Sequence, residues 1–264
     1  MKPTIRRLLP VLAFATAAWG QCPTSTFLDV SKYAGAGAGY PKPTLEVTCE
    51  NEQLVVRSNG IPHYEFVAVT PNALVASSAT YRVPLKPQRA AEPTSIPLLG
   101  RAGFAVNGIA FFGPNEGATP AVERFGDPIY NAIMDECMGH TANEYHYHAF
   151  NQACLVDGLK DGQPSPTLGY ALDNFPILGP WECAGADCTK VIRMKSSWDK
   201  TGDPAIKAWE AYTYVPKDGP EYLDRCNGHT DPKGDYHYHA TSTFPYIIGC
   251  YAGVVTTPAA PGGG

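Results

Sequence analysis

The sequence predicts a mainly β fold: a single disulfide-stapled sandwich or barrel-like domain with a few short helices, long loops and an internal duplication. Three observations lead there. Short apolar or alternating runs recur along the chain, each bounded by Gly, Pro, Asn or Asp, which is the punctuation of strands and turns rather than of helices. Glycine and proline contribute 26 and 25 of the 264 residues, against only 17% charged residues and 44% hydrophobic ones, so the chain is loop-rich yet apolar enough to bury a core. Its eight cysteines are even in number, as a disulfide framework requires.

Residues 1–20 read as a signal peptide. Lys2, Arg6 and Arg7 open the chain, Leu8 to Ala17 form a short apolar run, and Ala18-Trp19-Gly20 offers small residues around a cleavage point before Gln21. The run is about half the roughly 20 residues a spanning helix needs, and no later stretch comes closer, so no membrane span is expected. A secreted, extracellular or periplasmic location follows, and in an oxidising compartment cysteines become disulfides before they become metal ligands. Eight cysteines allow 105 pairings. Proximity favours Cys22–Cys49, Cys137–Cys154, Cys183–Cys188 and Cys226–Cys250. Removing Lys2, Arg6 and Arg7 with the leader leaves 17 basic against 25 acidic residues, a formal charge of −8. Such a surface has no basic stripe to release counterions from a phosphate backbone, which excludes nucleic acid as a partner.

In the mature chain, residues 44–57 form two β-branched runs about the polar turn Glu50 to Gln53, a hairpin signature. Further strands are predicted at Tyr64–Val69, Ala79–Val83, Phe104–Phe112, Leu168–Leu172 and Phe244–Cys250. Asp127-Pro128 and Asp203-Pro204 each set a capping acid before a first-turn proline, which predicts two short helices. Residues 21–255 are read as one domain, and the small, Pro/Gly-rich tail 256–264 as disordered.

Six of the seven histidines fall in two matched segments. Met134-Asp135-Glu136-Cys137-Met138-Gly139-His140-Thr141 runs on to Glu144-Tyr145-His146-Tyr147-His148-Ala149 and Cys154. Leu223-Asp224-Arg225-Cys226-Asn227-Gly228-His229-Thr230 runs on to Asp235-Tyr236-His237-Tyr238-His239-Ala240 and Cys250, its inner spacer two residues longer. The agreement, spanning 134–154 and 223–250, reads as a duplication. On a strand, successive side chains point to opposite faces, so His146 and His148 share one face and Tyr145 and Tyr147 the other; His237, His239, Tyr236 and Tyr238 repeat this. Two imidazoles at i and i+2 can chelate one ion, with a third nitrogen from His140 or His229 on the preceding loop. Three neutral nitrogens suit Cu or Zn and suit Mg or Ca poorly. Asp135 and Asp224 are candidates either to orient an imidazole N–H or to bond a turn. The tyrosines are expected to pack in the core with their hydroxyls locally bonded, and His63, outside the repeat, to be an ordinary polar residue.

The second segment, with Phe244-Pro-Tyr-Ile-Ile-Gly-Cys-Tyr-Ala-Gly253 and the middle stretch Leu168-Gly-Tyr-Ala-Leu-Asp-Asn-Phe-Pro-Ile-Leu-Gly-Pro180, resembles the YHYH-domain proteins, from about Phe104 to Gly253. That resemblance implies export and a motif more than a reaction. It adds Asp173 as a candidate carboxylate, although a turn acid before Asn174 is the other reading.

Three functions are compatible with these residues. A metal-binding protein would use two His-triplet sites to capture ions or pin loops. A metal-dependent hydrolase or a copper oxidoreductase would act on a small-molecule or polymer substrate, with Asp173, Glu144 or Asp235 as catalytic proton acceptor. A metal-free carbohydrate- or surface-binding β domain is the third. A cupin-like acid four residues after each His pair is missing, since Gln152 and Thr243 stand there, and no Gly-x-Ser-x-Gly or His-Glu-x-x-His motif occurs. The metal-binding reading is preferred, because six clustered imidazoles without an ion would repel one another on protonation.

Overall fold

A computed structural model describes residues 22–117, 125–157 and 160–256. The expected signal peptide and nearly all of the expected tail lie outside them. The fold is mainly β, as predicted, in several sheets, and among the described residues none closes into a barrel. Among the described residues no helix is long and apolar enough to cross a membrane.

Strands β1 (Leu45–Glu50), β2 (Gln53–Ser58) and β3 (Ala79–Pro84) form a three-stranded antiparallel sheet. The predicted hairpin turn is Asn51-Glu52, both with positive φ (51° and 59°), the conformation that suits a two-residue hairpin loop. Strand β4 (Arg89–Thr94) follows. The central sheet comprises β5 (Gly103–Ala105), β6 (Ala110–Phe111), β7 (Gly139–Thr141), β8 (Tyr145–Tyr147), β9 (Thr167–Ala171) and β10 (Pro176–Leu178). After β11 (Trp181–Cys183), β12 (Val191–Arg193), β13 (Trp198–Lys200) and β14 (Tyr212–Tyr214), the chain returns to that sheet with β15 (Gly228–Thr230) and β16 (Tyr236–His239). It closes with β17 (Tyr251–Gly253), paired to β4.

The central order is β15-β16-β10-β9-β5-β6-β8-β7, and it reads alike outward from its middle. Each flank has an antiparallel His pair, β7–β8 or β15–β16, laid parallel against one arm of a hairpin, β5–β6 or β9–β10. At the middle, β5 and β9 run antiparallel with Phe104 opposite Tyr170. The core lies under this sheet, with Phe104, Phe111, Tyr145, Tyr147, Ile177 and Tyr238 all fully buried. The four disulfides are the four that proximity favoured, with Cα separations of 4.5–5.8 Å.

Two local expectations fail for physical reasons. The Asp127 and Asp203 caps form, since Asp127 Oδ1 accepts the amides of Ile129 and Tyr130 and Asp203 Oδ1 that of Ala205. No helix propagates from either; Ala132 turns left-handed at φ 54° after one turn, and a single turn does not recover its nucleation cost. Tyr64–Val69 and Phe244–Cys250 are not strands. In the latter, Thr241 and Tyr246 bond across a turn with Tyr246 at φ 63°, and Tyr246 instead donates its hydroxyl to Asp127 (2.5 Å).

His63 keeps its ordinary role. It is buried between Tyr33 and Tyr64, and its Nδ1 lies 3.2 Å from the Asn107 amide nitrogen. Burial lowers its pKa to about 4. The folded protein therefore holds His63 neutral where the unfolded chain, with an ordinary value near 6.5, binds a proton, so stability falls as pH drops from about 6.5 toward 4. Roughly 2–3 kcal/mol is at stake. Urea unfolding of His63→Gln at pH 7 and pH 4.5, compared with the parent protein, should show that slope reduced; an unchanged slope contradicts it.

Candidate metal centres

The Asp-x-Cys-x-Gly-His segment builds the same turn twice. Asp135 Oδ1 accepts the amides of Cys137 and Gly139, and Asp224 Oδ1 those of Cys226 and Gly228. The residue before each glycine, Met138 or Asn227, is left-handed (φ 65° and 67°) and its carbonyl accepts the amide of His148 or His239. The glycine itself is required by close approach. A Cβ on Gly139 or Gly228 would collide with the hydroxyl of Tyr145 or Tyr236. Each turn is tied by Cys137–Cys154 or Cys226–Cys250 to the chain beyond the Tyr-His-Tyr-His strand.

The lone histidines lie on strands, not on the expected loops. His140 pairs directly with His146 across β7–β8, and His229 with His237 across β15–β16, which puts the third imidazole on the face of the other two. His148 Nε2 lies 3.1 Å from His140 Nε2 and 3.0 Å from His146 Nε2; His239 Nε2 lies 3.2 Å from His229 Nε2 and 3.0 Å from His237 Nε2. All six predicted histidines therefore meet, three by three.

Each triplet also meets a carboxylate that was not foreseen. Glu116 Oε2 is 2.8, 3.6 and 3.1 Å from Nε2 of His140, His146 and His148. Glu182 reaches His229, His237 and His239 at 2.6, 3.1 and 3.2 Å. Both acids stand in Gly-Pro-x-Glu stretches, Gly113-Pro-Asn-Glu116 after β6 and Gly179-Pro-Trp-Glu182 entering β11. The glycine carbonyls are used too. His148 Nδ1 contacts Gly113 O and His239 Nδ1 contacts Gly179 O, each at 2.6 Å, while His146 Nδ1 contacts the Glu144 carbonyl at 3.0 Å.

A carbonyl only accepts, so His146, His148 and His239 carry their proton on Nδ1 and present a bare lone pair at Nε2. In the first centre two such lone pairs face each other at 3.0 Å beside a carboxylate. Burial, the largest influence, holds the pKa of His148 and His239 below the ordinary value, so these rings stay neutral at pH 7. Burial alone would lift Glu116 and Glu182, but donation from the facing rings that are free to carry a proton on Nε2, His140 at the first centre and His229 foremost at the second, holds both below the carboxylate range. The four facing atoms of each group lie within 4.8 Å of one another and could hold a metal ion.

The remaining candidates serve the opposite face or the surroundings. Asp135 Oδ2 accepts from Tyr145 (2.5 Å) and Asp224 Oδ2 from Tyr236 (2.9 Å), so both acids bond turns and tyrosines rather than imidazoles. Asp173, fully buried, accepts from the Tyr238 hydroxyl (2.5 Å) and the Gly253 amide (2.8 Å) on the tyrosine side of the sheet. Glu144 is clamped by Arg101 at 2.7 and 2.5 Å, and the main chain of Asp235 closes a turn with Asp231. The carboxylates of Asp173 and Glu144 are thus engaged away from the converging histidines. A cavity of about 570 Å³ lined by Met138, Ala149, Asn151, Trp181 and Ala240 contains none of the eight converging residues.

The family model described as YHYH protein matches residues 80–253. The chain belongs to the YHYH family. No curated protein and no solved structure matches it. The YHYH match embraces both histidine segments, both Gly-Pro-x-Glu stretches and three of the four disulfides.

Proposed function

We propose that residues 21–255 form one exported YHYH domain whose two centres, Glu116/His140/His146/His148 and Glu182/His229/His237/His239, each bind one divalent first-row metal ion. The observation that carries this is the convergence of Nε2 lone pairs and a carboxylate oxygen, with Nδ1 protons donated to backbone carbonyls. Ligating histidines are oriented by that donation.

Zinc suits the arrangement better than copper. Tetrahedral ligands about 2.0–2.1 Å from an ion lie roughly 3.3–3.4 Å apart. In the first centre five of the six ligand pairs are separated by 2.8–3.6 Å, and in the second, with Glu182 ligating through Oε2, four of the six by 2.6–3.2 Å. A square-planar copper site would hold two of the six pairs near 4 Å. Four protein ligands also make a closed set, the mark of binding rather than of catalysis, which normally leaves a position for water. Five inter-strand steps separate β8 from β16, roughly 24 Å along the sheet, so the centres do not form one binuclear cluster. Four disulfides support export, since they persist in oxidising compartments.

Protein folded with Zn²⁺ and Cu²⁺ both offered is expected to carry two equivalents of metal, mostly zinc, by elemental analysis. His146→Ala and His237→Ala should each remove one. Metal-free protein after that treatment ends the proposal, and two equivalents of copper would reverse the choice of ion.

A further inference from the structure

The two centres share a ligand set but not an environment. Beside the first, Thr141 is buried because an upstream segment lies over it. Thr70 Oγ1 donates to the Thr141 carbonyl at 2.7 Å, Asn72 Nδ2 to the same carbonyl at 3.2 Å, and Thr141 Oγ1 to the Asn72 carbonyl at 2.7 Å. Phe112 stacks on His146 with ring centroids 3.8 Å apart. The side chains of His140, His146 and His148 are 2%, 0% and 0% exposed, leaving Glu116 as the one member that meets solvent.

At the second centre the residue corresponding to Thr141 is Thr230, and it is exposed. Leu178 occupies the place of Phe112, so no aromatic ring comes from that position. A cleft of about 210 Å³ opens there, lined by Glu182, His229, Thr230, Asp231, Pro220 and Pro232. Two of the four converging residues thus form its wall, and His229 is 19% exposed. Among the described residues of this wall the charged groups are the carboxylates Glu182 and Asp231, which favour approach of a cation.

Resting on the metal-binding reading, we infer that the second centre is the exchanging site, loading and releasing a divalent ion through this cleft, while the first holds its ion as a fixed part of the fold. The chemistry is ligand exchange alone. The hydrated ion sheds water as three imidazoles and one carboxylate replace it, and a competing chelator reverses the step through the same opening. Asp231 supplies a nearby anion without entering the ligand set.

The test mixes zinc-loaded protein with the chromogenic chelator 4-(2-pyridylazo)resorcinol and follows metal release. Two phases of one equivalent each are expected, the fast one absent from His237→Ala. Thr230→Trp, which fills the cleft from an exposed position, should slow the fast phase while the zinc content stays at two. Thr70→Ala, which loosens the cover over β7, should speed the slow phase and leave the fast one alone, a second handle should the tryptophan variant misfold. A single phase of two equivalents, or a fast phase that survives His237→Ala, overturns the inference while leaving metal binding intact. Protein that takes up no zinc overturns both.

Discussion

If both centres hold zinc as proposed, removing it with EDTA is expected to lower the melting temperature by about 20 °C. An ion that binds the native state alone stabilises it by RT ln(1 + [L]/Kd), about 4 kcal/mol per site when free ion stands a thousandfold above Kd. Two independent sites then contribute about 8 kcal/mol, and at about 2–4 °C per kcal/mol for a chain of this size the shift is large. Without an ion the facing Nε2 lone pairs of His146 and His148 would stand 3.0 Å apart with no cation between them, which adds to the expected loss. They are anchored by Gly113 and Glu144 carbonyls and cannot simply rotate away. Calorimetry before chelation, after chelation and after return of zinc checks this, and the last scan should recover the first. Equal melting temperatures in all three would show that the eight residues hold no stabilising ion.

The readable part of the site was local and the unreadable part was not. Alternation on a strand placed His146 with His148 and His237 with His239 on common faces, because a period of two is set by the backbone itself. The match between Asp135–His140 and Asp224–His229 showed that one turn occurs twice, and the cysteine spacing placed the disulfides. Glu116 and Glu182 gave no such cue, being two among 25 acidic residues and reaching the histidines only through the parallel pairing of β6 with β8 and of β10 with β16. One signal existed: Gly-Pro-x-Glu occurs at 113–116 and again at 179–182, at the same distance beyond Asn107 and Asp173. The failed helices at Asp127 and Asp203 show the converse. A cap signal is local and formed correctly, whereas propagation depends on length and a packed face that the following residues lack. Tyr64 and Phe66 carry strand-like alternation, yet their rings pack on Tyr145 without joining a ladder.

Asp173→Ala should cost about 3–5 kcal/mol, the range for removing one partner of a buried charged network, and should leave both metals in place. The carboxylate is fully buried and receives the Tyr238 hydroxyl and the amides of Gly253 and Phe175. Burial pushes its pKa upward and these donors pull it back, so the charge is held by hydrogen bonds alone. Truncation strands all three donors in the core and unties β17 from the central sheet. Asp173→Asn should cost much less, for a reason visible across the sheet. Asn107 occupies the corresponding place beside the first His pair, where its Nδ2 donates to the Tyr147 hydroxyl at 2.9 Å. An amide can therefore meet the tyrosine once its hydroxyl accepts instead of donating, and the residual cost is the Gly253 amide, which shares Oδ2 and would lose its acceptor. Because Asp173 works on the tyrosine face, urea unfolding of the two variants should separate them clearly while zinc content stays at two equivalents. Loss of the second ion from folded Asp173→Asn would instead tie this carboxylate to the histidine face, against the alternation on which the site depends.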